Sequence, residues 1–149
     1  MIRELEFEDI SADYFRFLCQ LSGEEKKDEK ILMTTLCARA RFRFWCKYED
    51  NHDHQVFIYE HEGNIIGTAT VLVENKLLHY GSRVGHIEDV VVDKETRLSG
   101  IGKQLIEKCV EFSRQRDCYK VILDCGDHNV PFYESCGFKE AEGCMRLDL

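Results

Sequence analysis

Arg97-Leu98-Ser99-Gly100-Ile101-Gly102 is the stretch that decides how this chain folds. It follows the β-branched run Val90-Val91-Val92 and precedes a segment from Ile101 in which apolar residues recur at helical spacing. A loop between a strand and a helix lies at the helix N-terminus, where amide N–H groups lack internal partners and the helix dipole is positive. The stretch therefore predicts a site for a phosphate or pyrophosphate group.

Three kinds of site use such a loop, and two are excluded. A dinucleotide fingerprint needs G-x-G-x-x-G, but Gly100-Ile101-Gly102-Lys103-Gln104-Leu105 lacks the third glycine and comes late in the chain. A nucleotide P-loop needs G-x-x-x-x-G-K-[ST], which no stretch matches. The remaining pattern, R/Q-x-x-G-x-G/A, resembles the coenzyme A loop of the GNAT acetyltransferase superfamily. A surface turn relaxed by glycine is the alternative interpretation.

The rest of the chain predicts one domain, 1–149, that alternates strands and helices. The predicted elements are a strand over 2–7, a helix capped by Asp9 or Ser11 and ended by Ser22-Gly23, a helix over about 30–46, strands Gln55–His61, Ile65–Glu74 and Gly85–Asp93, the helix from Ile101, a strand over Tyr119–Cys125, a short helix from Asn129 and a last strand over 138–148. The order β-α-α-β-β-β-α-β-α-β implies an α/β (α+β) fold with a mixed, mostly antiparallel sheet flanked by helices, the GNAT fold by resemblance.

Composition and charge exclude several classes of protein. The net charge of −8 disfavours a nucleic-acid partner, and no basic stripe offsets it. We find neither a signal peptide nor an apolar run that predicts a membrane partner, and so we expect a cytoplasmic protein. The eight cysteines include no C-x-x-C pair and are expected to be reduced. His52-Asp53-His54 could bind a metal ion but is interpreted as a solvated turn, and no metal is expected.

Three further segments are informative: GHIEDVVVD at 85–93, CYKVILDC at 118–125 and NVPFYESCGF at 129–138. They resemble one branch of that superfamily, the glucosamine-6-phosphate N-acetyltransferases. Lys76-Leu77-Leu78-His79 and Leu21-Ser22 also resemble family segments. The resemblance implies a homodimer with a shared active site, which transfers acetyl from acetyl-CoA to the amine of glucosamine 6-phosphate on the pathway to UDP-N-acetylglucosamine.

The resemblance also implies a role for each matching residue. It implies a cofactor site made by Val90, Val91, Val92, Arg97, Leu98, Ser99, Gly100, Ile101, Gly102, Lys103, Asn129 and Tyr133. It implies a substrate site made by Ser22, Lys76, His79, Glu88, Asp89, Val90, Tyr119, Lys120 and Asp124. It implies two catalytic residues, Asp124 orienting the amine and Tyr133 stabilising the departing thiolate.

These residue types suit a direct transfer without a covalent enzyme intermediate. An amine attacks a thioester only when it is unprotonated, and a carboxylate such as Asp124 can accept or align its proton. The oxyanion needs an aimed N–H, and the leaving thiolate needs a donor such as a phenol. Strand alternation places Lys120, Ile122 and Asp124 on one face, so that Lys120 and Asp124 could serve one cavity.

The sequence departs from the family pattern at two positions. Leu98 stands where the family usually has glycine, and Asp148 stands near the place of a phosphate-binding arginine. Either Arg146 substitutes for that arginine, or the phosphate relies on the cations Lys76, His79, Arg83 and Lys120. Two other functions stay open: acetylation of another amine, such as a polyamine or a protein N-terminus, and coenzyme A binding without catalysis.

Other residues are given no chemical role. Cys125 and His128 could form a thiol nucleophile, but we interpret them as a strand-end cysteine and a surface histidine, since direct transfer needs no thiol. Cys136 is expected to pack, and His86 is interpreted as a core histidine with a satisfied hydrogen bond.

Overall fold

The computed structural model describes residues 1–22, 37–141, 143, 145 and 147. Its strands are β1 (Ile2–Glu4), β2 (His54–His61), β3 (Asn64–Asn75), β4 (Arg83–Val92) and β5 (Cys118–Leu123), and its helices are α1 (Ala12–Ser22), α2 (Cys37–Tyr48), α3 (Ile101–Gln115) and α4 (Val130–Ser135). Short helical turns lie at Phe7–Asp9, Leu78–Gly81 and Asp127–Asn129. None of the helices in these ranges is long and apolar enough to span a bilayer.

The five strands form one sheet in the order β1-β2-β3-β4-β5. Each neighbouring pair is antiparallel except β4 and β5, which run parallel because α3 crosses over between them. The β2–β3 hairpin turns at Glu62 and Gly63, whose φ angles of 50° and 76° are those of a tight two-residue hairpin turn. The predicted mixed, mostly antiparallel sheet is confirmed.

Helix α3 covers one face of the sheet. Leu105, Ile106 and Cys109 are fully buried there against strand residues such as Val71 and Ile87. Gly67 on β3 makes this close approach possible, since a Cβ there would lie 2.8 Å from Ile101 Cγ2. The first residue of α3 is thereby held directly on the sheet, which fixes the position of the loop before it.

Helices α1 and α2 cover the opposite face; α1 reaches β3 and β4, and α2 lies beside β2. Tyr14 and Phe17 of α1 and Tyr48 of α2 pack against Val56 and Ile58 of β2. The Tyr14 hydroxyl also lies 3.1 Å from Thr68 Oγ1 in the buried layer, which satisfies both polar groups.

The N-terminal segment differs from the prediction in two details. Strand β1 ends at Glu4 rather than at residue 7, because Asp9 accepts hydrogen bonds from the Arg3 guanidinium at 2.7 and 2.8 Å and from the Glu6 amide at 2.7 Å, turning the chain. Asp9 is therefore not the cap of α1. Ser11 is, since its Oγ accepts the Tyr14 amide at 3.2 Å.

Two predicted elements fall partly outside the described residues. The predicted helix over 30–46 appears as α2 from Cys37, and residues 30–36 lie outside the description. The last strand, predicted over 138–148, is not formed by 138–141, 143, 145 or 147, and the rest of that range is outside the description. The amides of Gly137 and Phe138 instead bond the carbonyls of Glu134 and Tyr133, which ends α4 in a turn.

Candidate active site

Strand β4 is bulged at Asp89, and it is no longer paired with β5 from Glu88 onward. On β3, Thr68 pairs with Val91 and Thr70 pairs with Glu88, so Asp89 and Val90 of β4 both face Ala69 of β3. Asp89 takes a left-handed φ of 50° at this bulge. Pairing of β4 with β5 ends at Ile87 and Leu123. Within the described strands, residues 88–92 thus present one backbone edge without a partner strand. An extended ligand can bind such an edge through strand-like hydrogen bonds.

The predicted phosphate loop lies at the end of that edge. Gly100 has a φ of 79°, which favours glycine, and its carbonyl accepts the Gln104 amide at 3.1 Å to open α3. The amides of Ile101, Gly102 and Lys103 precede the first intrahelical bond and point out of the helix N-terminus. Arg97, Ser99 and Lys103 are exposed around it. The geometry is that of an anion site next to an open strand edge.

Two loop residues have structural contacts that the sequence did not indicate. A Cβ at Gly102 would lie 3.0 Å from Phe132 Cζ, so this glycine is also needed where α3 packs on α4. The Leu98 amide is 3.4 Å from Thr96 Oγ1, and its side chain is 42% exposed. The Leu98 backbone N–H therefore makes a long hydrogen bond within the loop.

Gln20 connects the end of α1 to this loop, a link that sequence reasoning missed. Its side chain lies 3.4 Å from both Asp93 Oδ1 and the Lys94 amide. Ser22, a predicted substrate residue, is the last residue of the same helix, and its side chain is outside the described part.

The three predicted carboxylates lie together at this end of the sheet. Burial raises the pKa of Glu88, and the charges of Asp89 and Asp124 raise it further. All three residues are nonetheless exposed to solvent, so Glu88 is only partly desolvated. A carboxylate whose pKa is raised is a better proton acceptor near neutral pH.

A second group of predicted residues lies at the other end of β5. The rings of His79 and Tyr119 are 4.7 Å apart, and Lys120 Nζ is 5.6 Å from the centre of the Tyr119 ring. His79 and Tyr80 have φ angles of 54° and 61°, a left-handed turn that points the hairpin back toward β5. Lys120 and Asp124 are four residues apart, roughly 13 Å along the strand. The structure thus separates a cationic and aromatic end from a carboxylate end.

Other predicted cations are engaged with neighbours. Lys76 Nζ is 2.5 Å from Glu74 Oε1. Arg83 donates to Asp53 Oδ2 and to Asn75 Oδ1, each at 2.8 Å, and so it is held away from a phosphate role. Arg146 and Asp148 lie outside the described residues.

The turn before β2 makes structural contacts. Asp53 binds Arg83, and the His54 ring packs 5.3 Å from the Tyr48 ring, where burial lowers the pKa of His54. Over the described ranges no group of three or more His, Cys, Asp or Glu residues is placed to hold a metal ion.

Tyr133 is half-buried on α4, directly after the segment that leaves β5. Its ring lies 4.9 Å from the Phe132 ring and 6.2 Å from the Phe138 ring. Burial raises the pKa of Tyr133, and Cys125 and Cys136 raise it further. The phenol therefore keeps its proton at neutral pH and can act as a donor. Asn129 precedes α4, and its amide bonds the Gly126 carbonyl at 2.8 Å.

This arrangement, an open strand edge that ends at a helix N-terminus, is suited to an extended ligand that carries phosphate. The family model of the "Acetyltransferase (GNAT) family" matches residues 12–138. The chain belongs to this family.

Relatives and a solved structure extend the comparison. The Oryza sativa subsp. japonica protein named glucosamine 6-phosphate N-acetyltransferase 1 is 39% identical over 148 residues, 98% of this chain and 85% of that protein. The glucosamine 6-phosphate N-acetyltransferase of Trypanosoma brucei brucei is 48% identical over 95 residues, which span 64% of this chain and 65% of that one. The crystal structure of glucosamine-6-phosphate N-acetyltransferase from Arabidopsis thaliana superposes with a TM-score of 0.85 at 32% identity, covering 99% of this chain and 97% of that one.

Proposed function

We propose that this chain transfers the acetyl group of acetyl-CoA to the amine of D-glucosamine 6-phosphate, giving N-acetyl-D-glucosamine 6-phosphate for UDP-N-acetylglucosamine synthesis. The observation that carries the proposal is the open backbone edge of residues 88–92 between the α3 N-terminus and the Glu88, Asp89 and Asp124 carboxylates. Similarity to the rice, trypanosome and Arabidopsis enzymes supports this choice of substrate.

The cofactor residues act mainly through their backbone. Val90, Val91 and Val92 hold the pantetheine arm along the open edge, and an N–H there polarises the acetyl carbonyl. The loop from Arg97 to Lys103 holds the pyrophosphate, and Asn129 borders the arm on the other side. Acetyl-CoA supplies the activated acyl group, and no metal takes part.

The chemical step needs a free amine and a stabilised thiolate. Asp124 orients the amine, and Glu88 and Asp89 draw it to this end of the sheet by charge. Tyr133 donates its phenolic hydrogen to the departing thiolate, which its raised pKa permits. The amine attacks the thioester directly, so no enzyme residue becomes acylated.

The phosphate of the sugar binds at the cationic end. Lys120 supplies the charge there, with His79, Tyr119 and Lys76 around it. Ser22 borders the substrate from the other end, because Gln20 holds the end of α1 beside Asp93 and Lys94. An amine at Asp124 and a phosphate at Lys120 match the two ends of one phosphorylated amino sugar.

A second copy of the chain completes the site in this proposal. Leu77 and Leu78 at the β3–β4 hairpin are 97% and 76% exposed, although they adjoin the substrate residue His79. Such apolar exposure beside a site fits a surface that a partner covers. The working unit is a homodimer of 1–149 acetyltransferase domains in the cytoplasm, with no nucleic acid or membrane bound.

Release of free coenzyme A tests the proposal directly. Purified protein and acetyl-CoA are incubated with glucosamine 6-phosphate, glucosamine, a polyamine and a peptide N-terminus. Activity on glucosamine 6-phosphate but not on glucosamine is expected. Equal activity on both sugars contradicts phosphate recognition, and preference for the polyamine would assign the carboxylates to a cationic substrate instead. Binding of coenzyme A without turnover of any amine would show a protein that binds the cofactor and does not catalyse acetyl transfer.

Replacing Lys120 by alanine is expected to raise KM for glucosamine 6-phosphate by about 10-fold, because a charge-assisted contact to phosphate is lost. Steady-state rates at saturating acetyl-CoA measure this effect. Lys108→Ala, which removes a lysine paired with Glu111 on the outer side of α3, is the matched control and should leave KM unchanged. An unchanged KM in Lys120→Ala removes that residue from the site.

A further inference from the structure

His86 lies in the open part of the sheet face that carries the proposed substrate residues. It pairs with Leu72 on β3 and with Ile122 on β5, and strand alternation puts all three side chains on one face. Leu72 and Ile122 are each 36% exposed, whereas Ile87 on the opposite face is buried under α3. Among the described residues, His86 is therefore half-buried on a part of the sheet face that is open to solvent.

The register places His86 between the two ends of the proposed site. Lys120 pairs with Val84, two residues before His86, and Asp124 lies two residues beyond Ile122. Each step of two residues is roughly 7 Å. A phosphorylated amino sugar that bridges Lys120 and Asp124 of one chain lies over the His86 side chain of that chain.

Glu74 fixes the orientation of the imidazole. Its Oε2 lies 3.0 Å from His86 Nε2, and its Oε1 binds Lys76 Nζ. Hydrogen bonds from these two groups lower the pKa of Glu74, so it is a carboxylate acceptor. His86 Nε2 therefore carries a hydrogen, and Nδ1 is left to bond a ligand.

We infer that His86 is a substrate-specificity residue whose Nδ1 hydrogen-bonds a ring hydroxyl of the amino sugar. The inference rests on the proposed function and adds a contact to it. The amine is on C2 and the phosphate on C6, and the hydroxyls on C3 and C4 lie between them along one edge of the ring. These hydroxyls are the groups that reach the middle of the face, where His86 stands.

The test pairs a change in the protein with a change in the substrate. His86→Leu should raise KM for glucosamine 6-phosphate by about 10-fold, the effect of one lost hydrogen bond, with kcat and KM for acetyl-CoA within about two-fold. In the wild type, removing the contacted hydroxyl, as in the 3-deoxy or 4-deoxy analogue, should raise KM by a similar factor. The variant should not distinguish that analogue from the parent sugar, because the bond is already lost.

Three controls isolate the contact. Lys120→Ala should still lose about 10-fold in KM when the hydroxyl is removed, because it leaves His86 intact. His61→Leu, at the exposed end of β2, should behave as the wild type. His86→Gln keeps a polar group that can reach the hydroxyl, and its KM should fall between those of the wild type and His86→Leu.

The outcomes separate this inference from the proposed function. If the wild type does not acetylate glucosamine 6-phosphate, the proposed function fails and the inference fails with it. If the wild type is active, an unchanged KM in His86→Leu overturns this inference and leaves the proposed function standing. The same holds if removing the hydroxyl raises KM in His86→Leu as much as in the wild type for both deoxy analogues. Should His86→Leu not fold, KM for the parent sugar and the deoxy analogues is measured in His86→Gln instead. The inference is overturned if removing either hydroxyl raises KM in His86→Gln by the same factor as in the wild type.

Discussion

Replacing Tyr133 by phenylalanine is expected to lower kcat by about 100-fold, the effect of removing one hydrogen-bond donor from a developing anion. The phenol is half-buried between Phe132 and Phe138, and burial raises the pKa of Tyr133, so the proton is present when the thiolate departs. Phenylalanine keeps these ring contacts and removes only the donor. Initial rates of coenzyme A release with glucosamine 6-phosphate give kcat and both KM values, and the KM values should change much less than kcat.

Tyr59→Phe is the matched control for this prediction. Tyr59 is also half-buried and packs against the same core as Tyr133, but it lies on β2, two strands from β4 in the sheet. Loss of the Tyr59 hydroxyl should leave kcat within about two-fold of the wild-type value, because no contact to the transition state is removed. Single-turnover rates show whether chemistry limits kcat. A single-turnover rate in Tyr133→Phe equal to that of the wild type would exclude the proposed donor role.

The sequence predicts the centre of the fold because its local signals agree there. The apolar periodicity of α3 and the β-branched runs of β4 and β5 specify strand, loop and helix without ambiguity. Strand alternation also predicts correctly that Lys120 and Ile122 share a face, since both are exposed while Val121 is packed on the core. The position of the proposed coenzyme A loop, between β4 and α3, follows from that local order.

The other features of the site depend on which strands pair and in which register. The periodicity of a single strand does not encode that register. The bulge at Asp89 opens the edge of β4, yet it becomes visible only when Thr68 and Thr70 are matched to their partners. Arg83 was a candidate phosphate ligand, but the register brings it to Asn75 and Asp53. The hydrogen bond between His86 on β4 and Glu74 on the neighbouring strand β3 also depends on that register.

The predicted last strand shows a limit of a different kind. Residues 138–148 are predicted to return as a strand, but a strand also needs an edge to pair with. Strand β5 is the last in the described sheet, and the start of the predicted strand is used in the turn that ends α4. The residue pattern of a segment does not determine whether that segment pairs with a sheet edge.

Alanine at Gly67 is expected to destabilise the protein by about 2 kcal/mol and to raise KM for acetyl-CoA as well. Its Cβ would lie 2.8 Å from Ile101 Cγ2 and 3.0 Å from Leu105 Cδ1, so the first turn of α3 must shift away from β3. That turn carries the amides that we assign to the pyrophosphate, and a shift there weakens cofactor binding. Thermal unfolding gives the stability change, and initial rates at varied acetyl-CoA give KM.

Gly85→Ala is the matched variant at the other end of the same helix. An added Cβ would overlap Ser113 Oγ and lie 3.0 Å from Ser113 Cβ, so a comparable loss of stability is expected. Ser113 is twelve residues from Ile101, roughly 18 Å along the helix, which leaves the loop in place. Gly85→Ala should therefore unfold more easily while keeping the wild-type KM for acetyl-CoA. Equal KM values in the two glycine variants would contradict the assignment of the α3 N-terminus as the cofactor site, because only one of them moves it.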